Sequence, residues 1–526
     1  MSSLHYYFSP NSASHPVELN VDICVYGGSA GAITAAVQAA RSGRTCALVM
    51  NTAWLGGLTA GGLGFTDIGN EAAIGGMARE FYGRVGNHYG VKEEWCFEPH
   101  VAEKVFRAML AEAGVTPHLK QFLKSLKKEN GRLVSIQMES GLKVTARQFI
   151  DASYEGDLMA MAGVSSTFGR EGNEVYGELV NGVQLRDKHQ FEMPISPYVR
   201  EGDPKSGLLP GINEGPLAPQ GSGDRRVQAY NFRMCLTKAK DRLPFPKPES
   251  YNVLNYELLA RYIARGWNEM FRKYDRIRNG KTDTNNHGAI STDFIGGSDR
   301  FPEASYAERE EIFQRHVAYQ QGLMWFWHND PRVPAKIQQE MRTWGLAADE
   351  FQDTGGWPHQ LYIRECRRLV SDYVTTELDC RGFRRAEDPV GLGAYALDSH
   401  NCQRLVINGR VFNEGDVQVK DFAPYPISYR SITPRRNECE NLTVPVCLAA
   451  SHISYGSIRM EPVFMILGQS AAIAAHLAIG LGDSAVQDVP YATLRQRLEQ
   501  AGQQLQIESK PKAKVVEDAV VPVPQI

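Results

Sequence analysis

No apolar run in this chain of 526 residues reaches the roughly 18 that a membrane-crossing helix needs, so an integral membrane protein is not expected. The opening stretch, MSSLHYYFSPNSASHPVELN, has neither a basic start nor an apolar core. With no secretory signal to read, a soluble, cytoplasmic protein is expected. Charge of one sign is missing as well: 57 Lys and Arg stand against 60 Asp and Glu, a net charge of −3. Without a basic block or an acidic tail, nucleic acid is not an expected partner and a small-molecule substrate is. The nine cysteines, at 24, 46, 96, 235, 366, 380, 402, 439 and 447, include no C-x-x-C pair, and an odd number cannot all pair with one another. They read as reduced structural thiols, with Cys24 and Cys46 inside core strands. The motif H-E-x-x-H is absent, as is any Cys and His pair at zinc-ligand spacing, so no metal site is expected.

What is present is an ordinary globular composition, 43% apolar and 22% charged, in a chain long enough for two or three domains. It is organised around residues 21–50, VDICVYGGSAGAITAAVQAARSGRTCALVM, which read as strand, glycine turn, helix and second strand, a βαβ unit. Residues 21–26 are a short apolar run suited to a buried parallel strand. Gly27, Gly28, Ser29, Ala30 and Gly31 follow with no side chain larger than a hydroxymethyl. Here the backbone can approach a dinucleotide pyrophosphate, held by N–H groups and the positive end of the next helix. The G-x-G-x-x-G fingerprint is degenerate. Read from Gly27, its later places hold Ser29 and Ala32; read back from Gly31, its first place holds Tyr26. The acid expected about 20 residues on, for the ribose hydroxyls, is missing where the second strand ends in Met50 and Asn51. Asn51 is the expected substitute. Ser29 is not read as a hydrolase nucleophile.

Residues 54–64, WLGGLTAGGLG, are too bare for a stable helix or strand. Their interleaved Trp54, Leu55, Leu58 and Leu63 argue for a packed segment that lets something flat come close. The combination of VYGGSAGAITAAVQAAR with WLGGLTAGGLGFTD resembles a bacterial family of FAD-dependent oxidoreductases, some of whose members are labelled xanthan lyase. The resemblance runs on through FEPHVAEKVF, IDASYEGDLMAMAG, RRVQAYNFRMCL, KTDTNNHGAIS, GGWPHQLYIRE and SIRMEPVFMILGQSAAIAA, from about residue 21 to 498. It implies FAD as cofactor, held at the turn 27–31, at Asn51 and at Gly56, Gly57, Leu58, Thr59 and Gly62, whose N–H groups would run along the flavin edge. Nothing in the residues supports lyase chemistry as such.

Further along, residues 98–113 form an amphipathic helix, 115–118 a strand, and 133–139 with 141–145 a hairpin. Residues 149–153 are a buried strand returning the chain to the cofactor, where Asp151 and Asp157 orient the turn or cap the helix at 158–163. Between 165 and 381 the texture changes to proline- and glycine-rich covering loops with helices at 256–266, 307–329 and 334–344. A strand at 442–447, a polar loop at 451–462 and a helix at 463–477 bring the chain back, the small residues from Gly468 onward permitting close packing. The expected fold is α/β: a Rossmann-type FAD-binding domain, discontinuous over 18–165 and 382–507, with an inserted α+β substrate or cap domain at 166–381 and a disordered tail at 508–526.

A flavin carries the redox chemistry, so the protein need only bind, orient and supply a base. A histidine of near-neutral pKa can take a hydroxyl proton while hydride leaves for the flavin. His452 is the first candidate, because it lies between the last strand and the last helix; His400 with Asn401, His287 and His359 follow. Arg430 and Arg459 suit a carboxylate, and Arg459, with Glu461, also suits the cofactor. The function read from this is oxidation of a CH–OH group in a sugar or polyol. The rivals are desaturation or reduction of a carboxylate substrate, and a non-redox carbohydrate-binding or lyase protein with structural FAD.

Overall fold

The computed structural model describes residues 4–9, 17–420 and 422–507; the tail expected at 508–526 lies outside the described residues. Strand β1 (Glu18–Tyr26), helix α1 (Ala30–Arg41) and strand β2 (Cys46–Val49) form the anticipated βαβ unit, with Ile23 paired in parallel to Cys46. Ile23, Cys24, Val25 and Tyr26 are all fully buried, because α1 covers one side of a central parallel strand and further chain the other. The sheet continues through β3 (Pro117–His118), β4 (Leu123–Glu129), β5 (Arg132–Met138) and β6 (Lys143–Asp151), in the order β3-β2-β1-β6-β5-β4. The members β3, β2, β1 and β6 are parallel; β5 and β4 turn antiparallel. Leu442–Thr443 then adds in parallel to the C-terminal half of β6, Leu442 opposite Phe149. One sheet therefore takes strands from both ends of the chain, the arrangement of a discontinuous Rossmann-type domain.

Several expectations change in detail. The pieces at 141–145 and 149–153 are one strand, β6. The sequence LKSLKKE of β4, which was not anticipated, alternates apolar and exposed lysine positions, as suits a sheet edge. The expected polar loop at 451–462 is instead the helix His452–Ile458 followed by the start of the helix Glu461–Gly480. Ser451 caps the first of these, its side chain accepting from Ser454 N. Every residue of His452–Ile458 is buried, so its polar groups bond within the protein rather than to water. Residues 57–60 form a short helical turn rather than a bare loop.

In the middle region the helices are Glu257–Ala264, Tyr306–Asn329 and Ala335–Met341. An unanticipated four-stranded sheet runs in the order Gly345–Leu346, Met234–Thr237, Lys281–Thr284, Tyr274–Arg276. The aromatic cluster of Tyr306–Asn329 is core, with Tyr319, Met324, Phe326 and Trp327 buried. Arg368–Leu369 pairs with Ser166–Thr167, and Leu369 N donates to Cys447 O, so contact with the returning chain begins before residue 382. The nine cysteines are all free thiols.

The helix Glu461–Gly480 has the length and mean hydropathy, 1.7, of a membrane span, yet 83% of its apolar window is buried inside the protein. It crosses α1 with almost no space between backbones. A Cβ added at Gly31 would lie 2.6 Å from Phe464 O, and one at Gly468 would lie 2.1 Å from Gly31 O. Thr34 Oγ1 donates to Met465 O at 2.8 Å across the same seam. Because the atoms met are backbone, neither helix can yield without moving as a body. Gly468→Ala should therefore destabilise the fold by about 1–3 kcal/mol, lowering the melting temperature by roughly 1–3 °C. A melting temperature indistinguishable from that of the parent protein would contradict this crossing.

Candidate functional site

At the βαβ turn, Ser29 caps α1. Its Oγ accepts from Ala32 N at 3.2 Å and donates to Ala152 O at 2.7 Å. Residues 27–31 do have G-x-S-x-G spacing, but this hydroxyl is buried and bonded on both sides, which makes Ser29 a helix cap and not a nucleophile. The glycines are required by the protein's own packing. A Cβ at Gly27 would sit 2.3 Å from Ser153 N, and one at Gly28 would sit 2.5 Å from Thr52 Cγ2. The buried N–H groups of Ser29, Ala30 and Gly31 find no acceptor among the described residues. Buried backbone donors are rarely left so, and a row of them at a helix N-terminus is the donor set that a pyrophosphate fits.

Beside this turn is a narrow pocket lined by Gly28, Asn51, Trp54, Tyr154, Glu155 and His359, among others. His359, expected as a catalytic candidate, belongs here. Its ring stacks on Trp54 at 4.7 Å, and neither ring nitrogen has a hydrogen-bond partner among the described residues. Burial pushes its pKa down to about 3, so it is neutral. Asn51 donates to Glu155 Oε2 at 3.2 Å. In the turn at 57–60, Leu58 N donates to Tyr154 OH at 2.9 Å, Tyr154 OH donates to Glu461 Oε1 at 2.8 Å, and Thr59 Oγ1 donates to Glu461 Oε2 at 2.6 Å. Burial pushes the Glu461 carboxyl up to about 7 in spite of these donors. Gly56, Gly57 and Gly62 all have positive φ. A Cβ at Gly57 would meet Tyr154 OH at 2.3 Å, and one at Gly62 would meet Arg233 O at 2.2 Å. Leu58, Thr59, Gly57 and Glu461 are thus brought together, whereas Asp157 is not free for a cofactor. Its carboxylate is gripped by Arg309 at 2.7 and 2.9 Å and by Arg367 at 2.7 Å. It is a clamp between the sheet domain and the middle region, while Asp151 accepts from Ser153 N, Ser153 Oγ and Met159 N.

A second cavity, of about 480 Å³, is lined by Tyr362, Asp398, His400, His287, Arg233 and Tyr395, among others. Neighbouring residues of one segment reach both spaces, Leu361 lining the first and Tyr362 the second. His400 Nδ1 lies 2.7 Å from Asp293 Oδ2, and Nε2 lies 3.4 Å from Asp398 Oδ2. Arg364 holds the other oxygen of Asp293 at 2.9 Å. Arg459 Nη2 donates to Asp398 at 2.9 Å and Nη1 to Tyr362 OH at 2.7 Å. Burial works against an ionised Asp398, but His400 and Arg459 outweigh it and hold this carboxyl well below the usual carboxylate range. Asp293 is held down in the same way, against burial, by Arg364 and His400. Arg364 and Arg459 keep N–H groups without acceptors among the described residues: Nε and Nη2 of the first, Nε of the second.

The remaining candidates separate. His287 is in the cavity wall, 2.6 Å from Glu269. Asn401 is buried next to His400 and accepts through its backbone from Ala229 N. His452 is not at the cavity wall: Nδ1 lies 2.8 Å from Glu365 and Nε2 lies 3.1 Å from Ser399 Oγ, all buried. The segment that was expected to carry it across the cofactor as a loop is a helix, and what separates it from His400 is that it does not line the cavity. Arg430 is half-exposed and paired to Asp388. Sequence reading missed Tyr362, Arg364, Asp293 and Glu155. The run Tyr362-Ile363-Arg364-Glu365 holds a signal, since charged residues set among apolar and aromatic neighbours need partners inside the protein.

Among solved structures the chain is similar to parts of several proteins. A 3-ketosteroid-delta4-(5alpha)-dehydrogenase from Rhodococcus jostii RHA1 matches at 15% identity over 29% of this chain and 51% of that one, TM-score 0.20. L-proline dehydrogenase from P. horikoshii matches at 16% over 31% and 26%, TM-score 0.18. Thioredoxin reductase from T. acidophilum matches at 20% over 30% and 40%, TM-score 0.17. The chain thus spans about half or less of each of these structures. No curated protein matches it. One family covers nearly the whole chain, residues 22–498, and it is described as FAD dependent oxidoreductase. With its orphan donors at a βαβ turn fitting the pyrophosphate of FAD, this chain belongs to the FAD-dependent oxidoreductase family.

Proposed function

We propose that this flavoenzyme oxidises a CH–OH group of a small polyhydroxylated substrate in the 480 Å³ cavity, with His400 receiving the hydroxyl proton. The observation that carries this reading is the pairing of a cavity-wall imidazole with a buried carboxylate, His400 with Asp293 at 2.7 Å. A carboxylate behind one ring nitrogen orients the ring and stabilises the imidazolium that forms when the other nitrogen takes a proton. Arg364 keeps Asp293 ionised and in place. Tyr362, Arg233 and Asn286 line the same space and supply donors for hydroxyl oxygens. Bound FAD supplies the two-electron redox chemistry.

General-base catalysis contributes about 10²–10⁴-fold. His400→Asn should slow reduction of the bound flavin by that order, measured by stopped-flow absorbance, with FAD content unchanged. A loss below about tenfold would remove His400 from this role.

The buried arginine N–H groups without acceptors at Arg364 and Arg459 favour a second reading, in which a carboxylate substrate is desaturated or reduced. The two readings part on ligands. Under the first, polyols bleach the flavin and small dicarboxylates such as malonate neither shift its absorbance nor slow that bleaching. Competitive inhibition by malonate would transfer support to the second.

A further inference from the structure

The dinucleotide pocket has an unfilled requirement. A ribose diol in a βαβ site is normally held by an acid at the end of the second strand, and here β2 ends at Val49, followed by Met50 and Asn51. Met50 is fully buried in the core, so that position cannot reach a ligand. Asn51 has an amide, whose single acceptor oxygen cannot take both hydroxyls in the way that a carboxylate can.

Among the described residues lining the pocket there is a single carboxylate, Glu155. It arrives from a different strand. The chain leaves β6 at Asp151, passes so close over the glycine turn that a Cβ at Gly27 would lie 2.4 Å from Ala152 C, and bends away at Gly156, where φ is 69°. This path carries Glu155 across the C-terminal edge of β1 to Asn51, 3.2 Å away. Its other oxygen, Oε1, accepts from Tyr6 OH at 3.0 Å. Tyr6 is fixed in turn: its backbone N–H donates to Glu310 Oε2 at 2.8 Å, and its hydroxyl accepts from Arg309 at 3.3 Å. Two donors occupy a carboxylate that can accept about four. Glu155 is almost fully buried, and burial, with Asp157 nearby, raises its pKa above the ordinary value. Further O–H donors would satisfy an acceptor that the fold leaves short of them.

We propose that Glu155 is the ribose-binding acid of the bound dinucleotide, set in place by Asn51 and Tyr6, and that it does from the end of β6 what is normally done from the end of β2. Tyr6 and Asn51 are positioning residues in this scheme. The assignment concerns the cofactor and holds whichever substrate the larger cavity takes.

The test uses the full-length protein freed of flavin, titrated calorimetrically with FAD, ADP and 2′,3′-dideoxy-ADP. In the parent protein ADP should bind at least tenfold more tightly than the dideoxy analogue, since hydrogen bonds to a charged group are at stake. Glu155→Gln, which keeps one acceptor oxygen of the two, should weaken FAD by about 10- to 100-fold and narrow the preference for ADP over its dideoxy analogue severalfold. Tyr6→Phe should weaken FAD less and keep part of the discrimination. Equal binding of ADP and dideoxy-ADP by the parent protein overturns the proposal without recourse to any variant, as does a folded Glu155→Gln protein that prefers ADP as strongly as the parent does. A loss of FAD binding in Glu155→Gln with the preference for ADP intact assigns the residue a structural role and also rejects it.

Discussion

Two backbones in contact govern this molecule. Helix α1 and the helix Glu461–Gly480 meet at Gly31 and Gly468, where a side chain on either would enter the other's main chain. Contact at this distance is rigid, because interiors packed this closely transmit displacement rather than absorb it. It sets the first turn of the late helix against the dinucleotide turn. From there Glu461 reaches Thr59 and Tyr154, and two residues earlier Arg459 reaches Tyr362 and Asp398. The pocket beside the glycine turn and the larger cavity are therefore placed by one crossing.

The middle region is docked by buried charge. Arg309 and Arg367 close on Asp157, Arg170 bridges Asp224 and Glu414, and Asp283, paired with Arg233 inside the middle region, accepts from Phe65 N. Buried ion pairs of this kind add little net stability, since desolvation offsets most of the attraction, yet either partner alone would be strongly disfavoured. Their effect is to make one docking geometry far better than its neighbours. A cavity whose wall comes from several stretches, Arg233, Tyr362, His400 and His287, needs that precision, because an ångström of play would undo any fixed angle between substrate and base.

The pocket and the cavity differ in electrostatic character although one segment, through Leu361 and Tyr362, reaches both. On the pocket side, burial dominates: His359 is held neutral, and Glu461 is raised to about 7. On the cavity side, paired charges dominate, and Asp293 and Asp398 stay ionised beside Arg364, Arg459 and His400. A lining with a single carboxylate, Glu155, among the described residues suits the close approach of a cofactor that brings its own phosphates to helix N–H groups. A lining of opposed charges suits the handling of a proton.

The βαβ unit, the family and the cofactor were legible in the sequence, because they rest on local facts: an apolar strand, residues too small to obstruct a backbone, and a helix that starts at a serine cap. The close packing at Gly468 was legible for the same reason. Which histidine faces the cavity was not. His359, His400 and His452 stand in similar polar clusters, and only the fold gives the first a dry pocket, the second a carboxylate 107 residues away in Asp293, and the third a buried pairing with Glu365. Glu155 was hidden likewise, since its partner Asn51 is 104 residues distant. Periodicity and residue size act over a few neighbours and leave a trace in the chain. Partnership between buried polar groups depends on which distant segments the packing brings together, and that the tertiary structure alone decides.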